Sequence, residues 1–486
     1  MMRKYIYILI AAFSLVSCAG WLNVDSTDRI MEDKLYEDRE GFYTALNGVY
    51  IDLVKTSLYS GTFGPSVPDI LAQYYDTSVD SHMNGSLAQY QAESKRLAVS
   101  DTWTRAYYLI LNVNKIIEQA DRRKGSVLNE LDYSLVKGEA LALRAMLHFE
   151  LFRYFAPSYS TAPAAKAIPY ATSSDPQVYP LLKSSEIVGL LKTDLKDAMD
   201  LLVNSDPVIT EGKKEVDNGG RNLYNYRNLR MNYYAVKALA ARVNMYLGYS
   251  YRQEALTYAE EVIRDAARFF PFSTRDEVTG QAAVGSVATS AQDRILSSDI
   301  LFSVYNVKRG EDIYEKWFSN TLEVKQLLAM SDNGYRNMYP EEGDLRTYQW
   351  QRKKDVLGND IMCMVKYEAM EVAGKNYPYM IPVLRMSEMY LIVAECYAGV
   401  DDEKAYEMLN ILRNARQTSS VNSSLEMHIE NEYIREFVGE GQLFWYYKRK
   451  NAESLTPLYD RSRPAVTMDS SYYLFELPQS EGGYRE

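Results

Sequence analysis

The groups in this chain that could act on a ligand fall into three kinds, and the first two contain no recognisable catalyst. Three histidines, His82, His148 and His428, lie far apart. No pair has the H-x3-H type of spacing that sets two imidazoles on one helix face for a metal. His148 follows Leu141 and Ala145 on one helical stripe and precedes Phe152, the pattern of a packed core histidine. There is no G-x-S-x-G nucleophile elbow, no phosphate loop and no G-x-G-x-x-G. The second kind is the acids, 65 in all. A glycoside hydrolase needs only two carboxylates a fixed distance apart in space, which a sequence does not display. The acids that can be placed are Glu388, Glu395, Glu432, Glu436 and Glu440. They lie on predicted helices with, or near, Arg385, Arg413 and Arg435, so they read as structural ion pairs.

The third kind is aromatic. The chain has 42 tyrosines against 14 phenylalanines and 5 tryptophans. A tyrosine offers an apolar ring and a polar tip, which suits half-exposed helix faces and also the faces of sugars. Rings on loops are free to stack on sugar C–H faces, while amides, carboxylates and guanidiniums take the hydroxyls. The candidates on loops are Tyr74, Tyr75 and Asp76 in a first loop, and Trp317, Tyr335, Tyr339, Trp350 and Arg352 in a later insertion. Trp103 and Trp445 fall in predicted helices and read as core. No catalytic, metal or cofactor residue is assigned.

Helices must position these loops. The richest stretch runs from Ile381 to Arg449. Pro382 cannot lie inside a helix, so one opens near Ser387, runs to Ala398 and stops at Gly399. Asp401 and Asp402 sit where an N-cap belongs. The next helix places Ala405, Met408, Leu409 and Leu412 on one buried stripe. The same pattern occurs upstream, where a helix over Leu229–Leu247 stops at Gly248 and a second carries Ala255, Tyr258, Ala259 and Val262. Further helices are predicted over 40–55, 101–120, 133–155 and 185–202. Pairing gives four hairpins: 40–55 with 101–120, 133–155 with 185–202, 229–247 with 252–267, and 387–398 with 402–416. The fold class is all-α, tetratricopeptide-like helical hairpins with long irregular loops and a few short strands. Ile300–Tyr305 reads as such a strand and Ser331-Asp332-Asn333-Gly334 as a turn. The first loop spans about 60–94, broken by glycines and prolines. The insertion spans 268–380 and includes a Gly/Ala/Ser/Thr tract over 279–290. Insertions in a repeat array gather on one face and carry specificity.

Residues 1–17 form an export signal: Arg3 and Lys4, then an apolar run from Tyr5 to Val16 too short to span a bilayer. Leu15-Val16-Ser17-Cys18 fits a lipoprotein cleavage box, in which Cys18 becomes the lipidated first residue of a single domain over 18–486. Acyl chains on Cys18 would anchor the protein without spanning. Cys363 and Cys396 sit among apolar residues and read as buried thiols, with a disulfide left open. The net charge of −11 argues against a nucleic-acid partner.

Several stretches also carry a family's wording. Leu384-Arg385-x2-Glu388-x-Tyr390-Leu391-x2-Ala394-Glu395, Leu409-Asn410-x2-Arg413-x2-Arg416, and Glu432, Glu436 and Glu440-Gly441 resemble the signature helices of the SusD/RagB outer-membrane nutrient-binding lipoproteins. Ala45-Leu46-Asn47-Gly48-Val49-Tyr50, Trp103-x3-Tyr107-x2-Ile110-x3-Asn114 and Gly138-Glu139-Ala140 with Arg144-Ala145 are similar to earlier family segments. Tyr433 stands where the family usually has arginine, and Gln442-Leu443-Phe444 replaces its commoner ending. The resemblance implies a lipid-anchored, surface-exposed outer-membrane protein that binds an oligosaccharide. It would hand the ligand to a TonB-dependent, SusC-like transporter without chemistry on it, and with no cofactor. Two other readings of the residues stay open. One is an all-helical glycoside hydrolase; the other is a tetratricopeptide-type adaptor that binds peptide.

Overall fold

A computed structural model describes residues 34–216, 223–280 and 291–482. The signal segment, Cys18 and most of the tract over 279–290 lie outside them. Among the described residues no helix is long and apolar enough to cross a membrane.

The helices form where the caps and stripes demand. Helix α1 (Arg39–Asp52) starts where the Asp38 carboxylate accepts from the Gly41 N–H at 2.8 Å. A short α2 (Val67–Leu71) follows, with Pro68 in its first turn. Helix α3 (Ser100–Arg123) leads to α4 (Glu130–Phe155), capped by Asn129 through the Asp132 N–H at 2.9 Å. Next come α5 (Ser184–Leu202), α6 (Tyr233–Leu247) and α7 (Arg252–Ala266). Within the long insertion lies α8 (Asp332–Met338), and beyond it α9 (Met386–Tyr397), α10 (Asp402–Ala415), α11 (Leu425–Glu436) and α12 (Leu443–Lys450).

The helices pack as the four expected pairs: α1 on α3, α4 on α5, α6 on α7, and α9 on α10. Successive pairs touch through α3–α4, α5–α6 and α7–α9, so the hairpins stack in chain order. On α10, Ala405, Leu409 and Leu412 are fully buried and Met408 half-buried. Helices α4 and α6 are covered on almost every side from Leu135 and Tyr234 onward, as befits the middle of a stack. Lys448 of α12 crosses to the end of α4 and donates to the Arg153 and Ala156 carbonyls, both at 2.6 Å. It satisfies acceptors that a helix end leaves open.

Three local expectations are corrected. The stretch Met380–Arg385, read as a lead-in to a helix, is strand β4, paired antiparallel with β1 (Ile300–Tyr305). Pro382 lies opposite Ser303 where the register shifts, a place where its missing N–H is tolerated. Ser331 does not open a plain turn; it caps α8 through the Gly334 N–H at 3.0 Å. The motif from Glu432 to Gly441 is not one helix, because α11 ends at Glu436 and Gly439 and Gly441 take φ of +77° and +69°. A Cβ on Gly441 would stand 2.5 Å from the Gly64 carbonyl oxygen, so only glycine lets the first loop dock there. The Asp69 carboxylate of α2 accepts from the N–H groups of Gly439 at 2.6 Å and Gly441 at 3.1 Å. The first loop is thereby tied to the scaffold. Strands β2 (Trp350–Lys354) and β3 (Asp360–Met364) form a hairpin with Trp350 opposite Met364.

The placed acids are ion-paired inside the protein. Arg385 reaches Asp299 at 3.2 Å, Glu436 at 2.7 Å and Glu440 at 2.9 Å. Arg416 donates to Asp299 and Glu436, each at 2.5 Å. Arg346 joins Glu432 at 2.6 Å and Glu436 at 3.2 Å, and Arg413 meets Glu432 at 2.5 Å. Burial alone would push the Glu436 carboxyl up, but the guanidiniums of Arg416 and Arg385 overcome it and hold it well below the usual carboxylate range. Glu388 pairs with Arg242 at 2.6 Å and Glu395 with Arg449 at 2.6 Å. Cys363 and Cys396 are free and buried, and burial raises both thiols to about 11.

Candidate functional site

The structure splits the eight sequence candidates. Four are core residues rather than loop rings, which corrects that expectation. Tyr74 is 0% and Tyr75 2% exposed. The Tyr74 hydroxyl donates to the Ile434 carbonyl at 2.6 Å, and the Tyr75 ring packs 5.5 Å from Phe318. Tyr339 is 6% and Trp350 5% exposed, and the Trp350 indole N–H donates to the Tyr339 hydroxyl at 3.3 Å. Together these rings fasten the first loop and the insertion onto α11. Loop position alone did not reveal this, because the loops are themselves folded against the stack.

The other four lie at or near the surface. Asp76 is half-buried and closes a turn by accepting from the Ser78 N–H at 2.9 Å. Trp317 is half-buried, and a Cβ on Gly61 would come within 3.0 Å of its ring. Tyr335 is half-buried, 5.6 Å from Tyr339 and 6.4 Å from Trp350 between ring centroids. Arg352 is exposed and ion-paired with Asp332.

The fold brings the two loops to one side. The Asp76 N–H donates to the Ala329 carbonyl at 2.9 Å and the Met83 N–H to the Lys325 carbonyl at 2.8 Å. A ring nitrogen of His82 lies 3.2 Å from the Leu327 carbonyl. A segment near the C-terminus closes the same side, with Asn333 donating to Asp460 at 3.1 Å and Arg463 to the Ser78 hydroxyl at 3.2 Å.

On the insertion, a cup of about 260 Å³ opens beside Tyr335 and the residual edge of Trp350. Tyr348, Gln351, Gln292 and Arg294 complete the working part of its wall. Arg294 is fixed, donating to Glu368 at 2.8 Å, the Val365 carbonyl at 3.2 Å and the Gln292 side-chain oxygen at 3.2 Å. The Glu368 carboxyl, which burial would raise, is held low by Lys353 and Arg294. Tyr348 and Gln351 make no side-chain hydrogen bond among the described residues, so their polar ends remain open to a ligand. Among the described residues, none that lines the cup is a carboxylate. The cup thus offers ring faces and hydrogen-bonding groups, without the paired acids of glycoside hydrolysis. Sequence reasoning missed Tyr348, Gln351, Gln292 and Arg294. The one available signal was the two-residue spacing of Tyr348 and Trp350 entering a strand.

Two family models match the chain. One, described as starch-binding and associating with the outer membrane, matches residues 43–213; the other, the SusD family, matches residues 291–473. Compared with curated proteins, the sequence matches none. Among solved structures, a SusD superfamily protein from Bacteroides thetaiotaomicron is similar at a TM-score of 0.70 and 20% identity, over 92% of this chain and 98% of that one. A SusD-like carbohydrate binding protein from Bacteroides vulgatus is similar at 0.69 and 18%, over 92% and 96%. A putative sugar binding protein from Bacteroides vulgatus is similar at 0.68 and 20%, also over 92% and 96%.

Proposed function

This chain belongs to the SusD/RagB family, and on that premise we propose that it is a lipid-anchored, surface-exposed outer-membrane protein that captures an oligosaccharide and delivers it to a TonB-dependent, SusC-like transporter. It binds its ligand without cleaving it. The observation that carries this reading is the division of polar groups. The motif acids are consumed by buried arginines, while the cup on the loop face keeps open amide and hydroxyl groups beside Tyr335, Tyr348 and Trp350. Such a wall suits a pyranose: ring faces for its C–H side, donors and acceptors for its hydroxyls. Trp317 and Asp76 extend the same loop side. A lipid on Cys18, together with contact to a transporter, would keep the bound glycan at high local concentration near the pore.

The test is affinity electrophoresis of the purified full-length chain through gels containing different polysaccharides, with reducing ends assayed in the same mixtures. Retardation by one glycan without new reducing ends is expected. New reducing ends would make the protein a hydrolase, and a peptide co-purifying in place of any glycan would favour an adaptor. Replacing Cys18 by Ala should release the protein from membranes; full retention there would end the lipoprotein reading.

A further inference from the structure

A second concavity, of about 460 Å³, lies between α1, the turn that precedes α6 and the end of β1. It shares no residue with the cup on the insertion. Its floor is fixed by hydrogen bonds. The Tyr50 hydroxyl donates to the Glu139 carboxylate at 2.7 Å and accepts from the Met231 N–H at 2.9 Å. The Arg230 guanidinium sits 5.3 Å from the Tyr50 ring centroid and donates to the Asn47 side-chain oxygen at 2.5 Å. Arg230 also lies 3.6 Å from the buried Glu139, so its charge is turned inward. Groups held this way lose little freedom when a ligand arrives.

The rim is different. Tyr305, the last residue of β1, is 36% exposed and leans on Tyr379 at 5.4 Å, inclined by 57°. Its hydroxyl makes no hydrogen bond among the described residues. The same holds for the side-chain amide of Asn376 and for the amide nitrogen of Asn47. The cleft therefore combines a supported aromatic ring, three open polar groups and a floor with its charge compensated. A phosphate would require uncompensated cations, and a cationic peptide a free carboxylate; neither lines the cleft among the described residues. A neutral sugar ring fits what is present.

We propose that the cleft around Tyr305 is a second carbohydrate site, in which Tyr305 stacks on a pyranose and Asn47 and Asn376 take its hydroxyls. This rests on the glycan-binding reading above. Two separate sites on one chain would let a long polymer be held at two points, which raises retention more than either contact alone.

The experiment titrates the full-length chain with an oligosaccharide of whichever polysaccharide retards it, and reads stoichiometry and affinity by calorimetry. Wild type is compared with Tyr305→Ala, Tyr305→Phe, Asn376→Ala and, in the first cup, Gln351→Ala. Tyr305→Ala should reduce the stoichiometry from two to one and weaken retardation roughly three- to tenfold, while Tyr305→Phe keeps both values because it keeps the ring. If Tyr305→Ala lowers the melting temperature, Asn376→Ala gives the same reading without removing an aromatic contact. Wild-type stoichiometry and affinity in both Tyr305→Ala and Asn376→Ala would overturn the second site alone. Loss in Tyr305→Ala with no effect of Gln351→Ala would uphold it and remove the first cup from the function. A wild type that no glycan retards would overturn the whole glycan-binding reading, and this site with it.

Discussion

Arg385, Arg416 and Arg346 converge on Glu436 in an interior where none of the four side chains is more than 1% exposed. Tyr348, Gln351 and Tyr335 stand around a surface cup with polar ends that no described neighbour takes. Both regions are dense in polar groups, and the difference lies in who completes them. In the interior, removing charge from water costs several kcal/mol per ion, and each of these three guanidiniums meets carboxylates within the protein. At the cup water completes the groups, and a ligand can replace it. The motif acids and arginines therefore describe a scaffold. Binding specificity sits in residues that no motif marks.

The largest effect should come from breaking the interior network. Glu436→Ala would leave Arg346, Arg385 and Arg416 without their shared partner, and should destabilise the fold by about 3–5 kcal/mol in denaturant melts. Glycan affinity of the fraction that stays folded should not change. A loss below about 1 kcal/mol would mean that water reaches these charges and that the two regions do not differ as argued. Next is Trp350→Ala. Its indole belongs to the core side of the boundary, at 5% exposure with its N–H spent on Tyr339. Truncation should cost about 3 kcal/mol through the cavity left behind. Any fall in glycan affinity must therefore be measured where the variant is still folded.

How much of this could be read beforehand follows from the range of the interactions. The helix pairs were legible because caps and stripes are local: Asp401 before α10, Gly399 after α9, and Ala405, Leu409 and Leu412 at helical spacing. The ion-paired role of Glu432 and Glu436 was legible from arginines on the same or facing helices. Strand β4 was not, because its partner β1 lies far back in the chain and nothing in Met380–Arg385 announces the pairing. The break between Glu436 and Glu440 was hidden by a motif spacing that also suits an unbroken helix. The burial of Tyr74, Tyr75, Tyr339 and Trp350 is hidden for one reason: turn-forming residues locate a loop but do not say whether it is packed down. The open amide of Gln351 follows from the β2–β3 hairpin, a local pairing, but which of its faces stays uncovered depends on segments packed from elsewhere in the chain.

His148 sharpens the comparison from a third side, as a buried polar group left neutral. Its ring stacks 3.8 Å from Tyr170. Nε2 accepts from the Ala171 N–H at 3.0 Å, which leaves Nδ1 to donate to the Arg144 carbonyl at 2.9 Å. Burial lowers its pKa to about 3, with the Arg144 carbonyl only partly opposing. The unfolded chain takes up this proton near pH 6.5, so it binds more protons than the native state between pH 6.5 and 3. The stability tied to His148 is fully present above pH 6.5 and drains as pH falls, by up to about 1.4 kcal/mol per pH unit. His148→Gln removes the titration. Between pH 7 and pH 5, wild type should lose about 2 kcal/mol more than the variant; equal losses would mean that the imidazole charges inside the fold.

The smallest expected effect concerns Arg352, the candidate furthest on the solvent side. Its guanidinium is engaged with Asp332, which also holds Arg336 at 2.7 Å. Arg352→Ala removes one partner of an exposed pair whose acid keeps another, so stability should fall by no more than about 0.5 kcal/mol. For binding, one guanidinium nitrogen is engaged with that carboxylate and the remaining N–H donors face water, so a hydroxyl that takes one only replaces a water and the exchange gains little. Affinity should therefore drop less than about twofold. Tyr335→Ala in the same assay should drop it about tenfold, because a ring face at the cup has no competing partner. A tenfold loss in Arg352→Ala would show that the guanidinium is a principal ligand contact, and would carry the site outward from the cup along β2. The surface would then resemble the interior, with a charged group completed by a specific partner, and that partner would be the glycan.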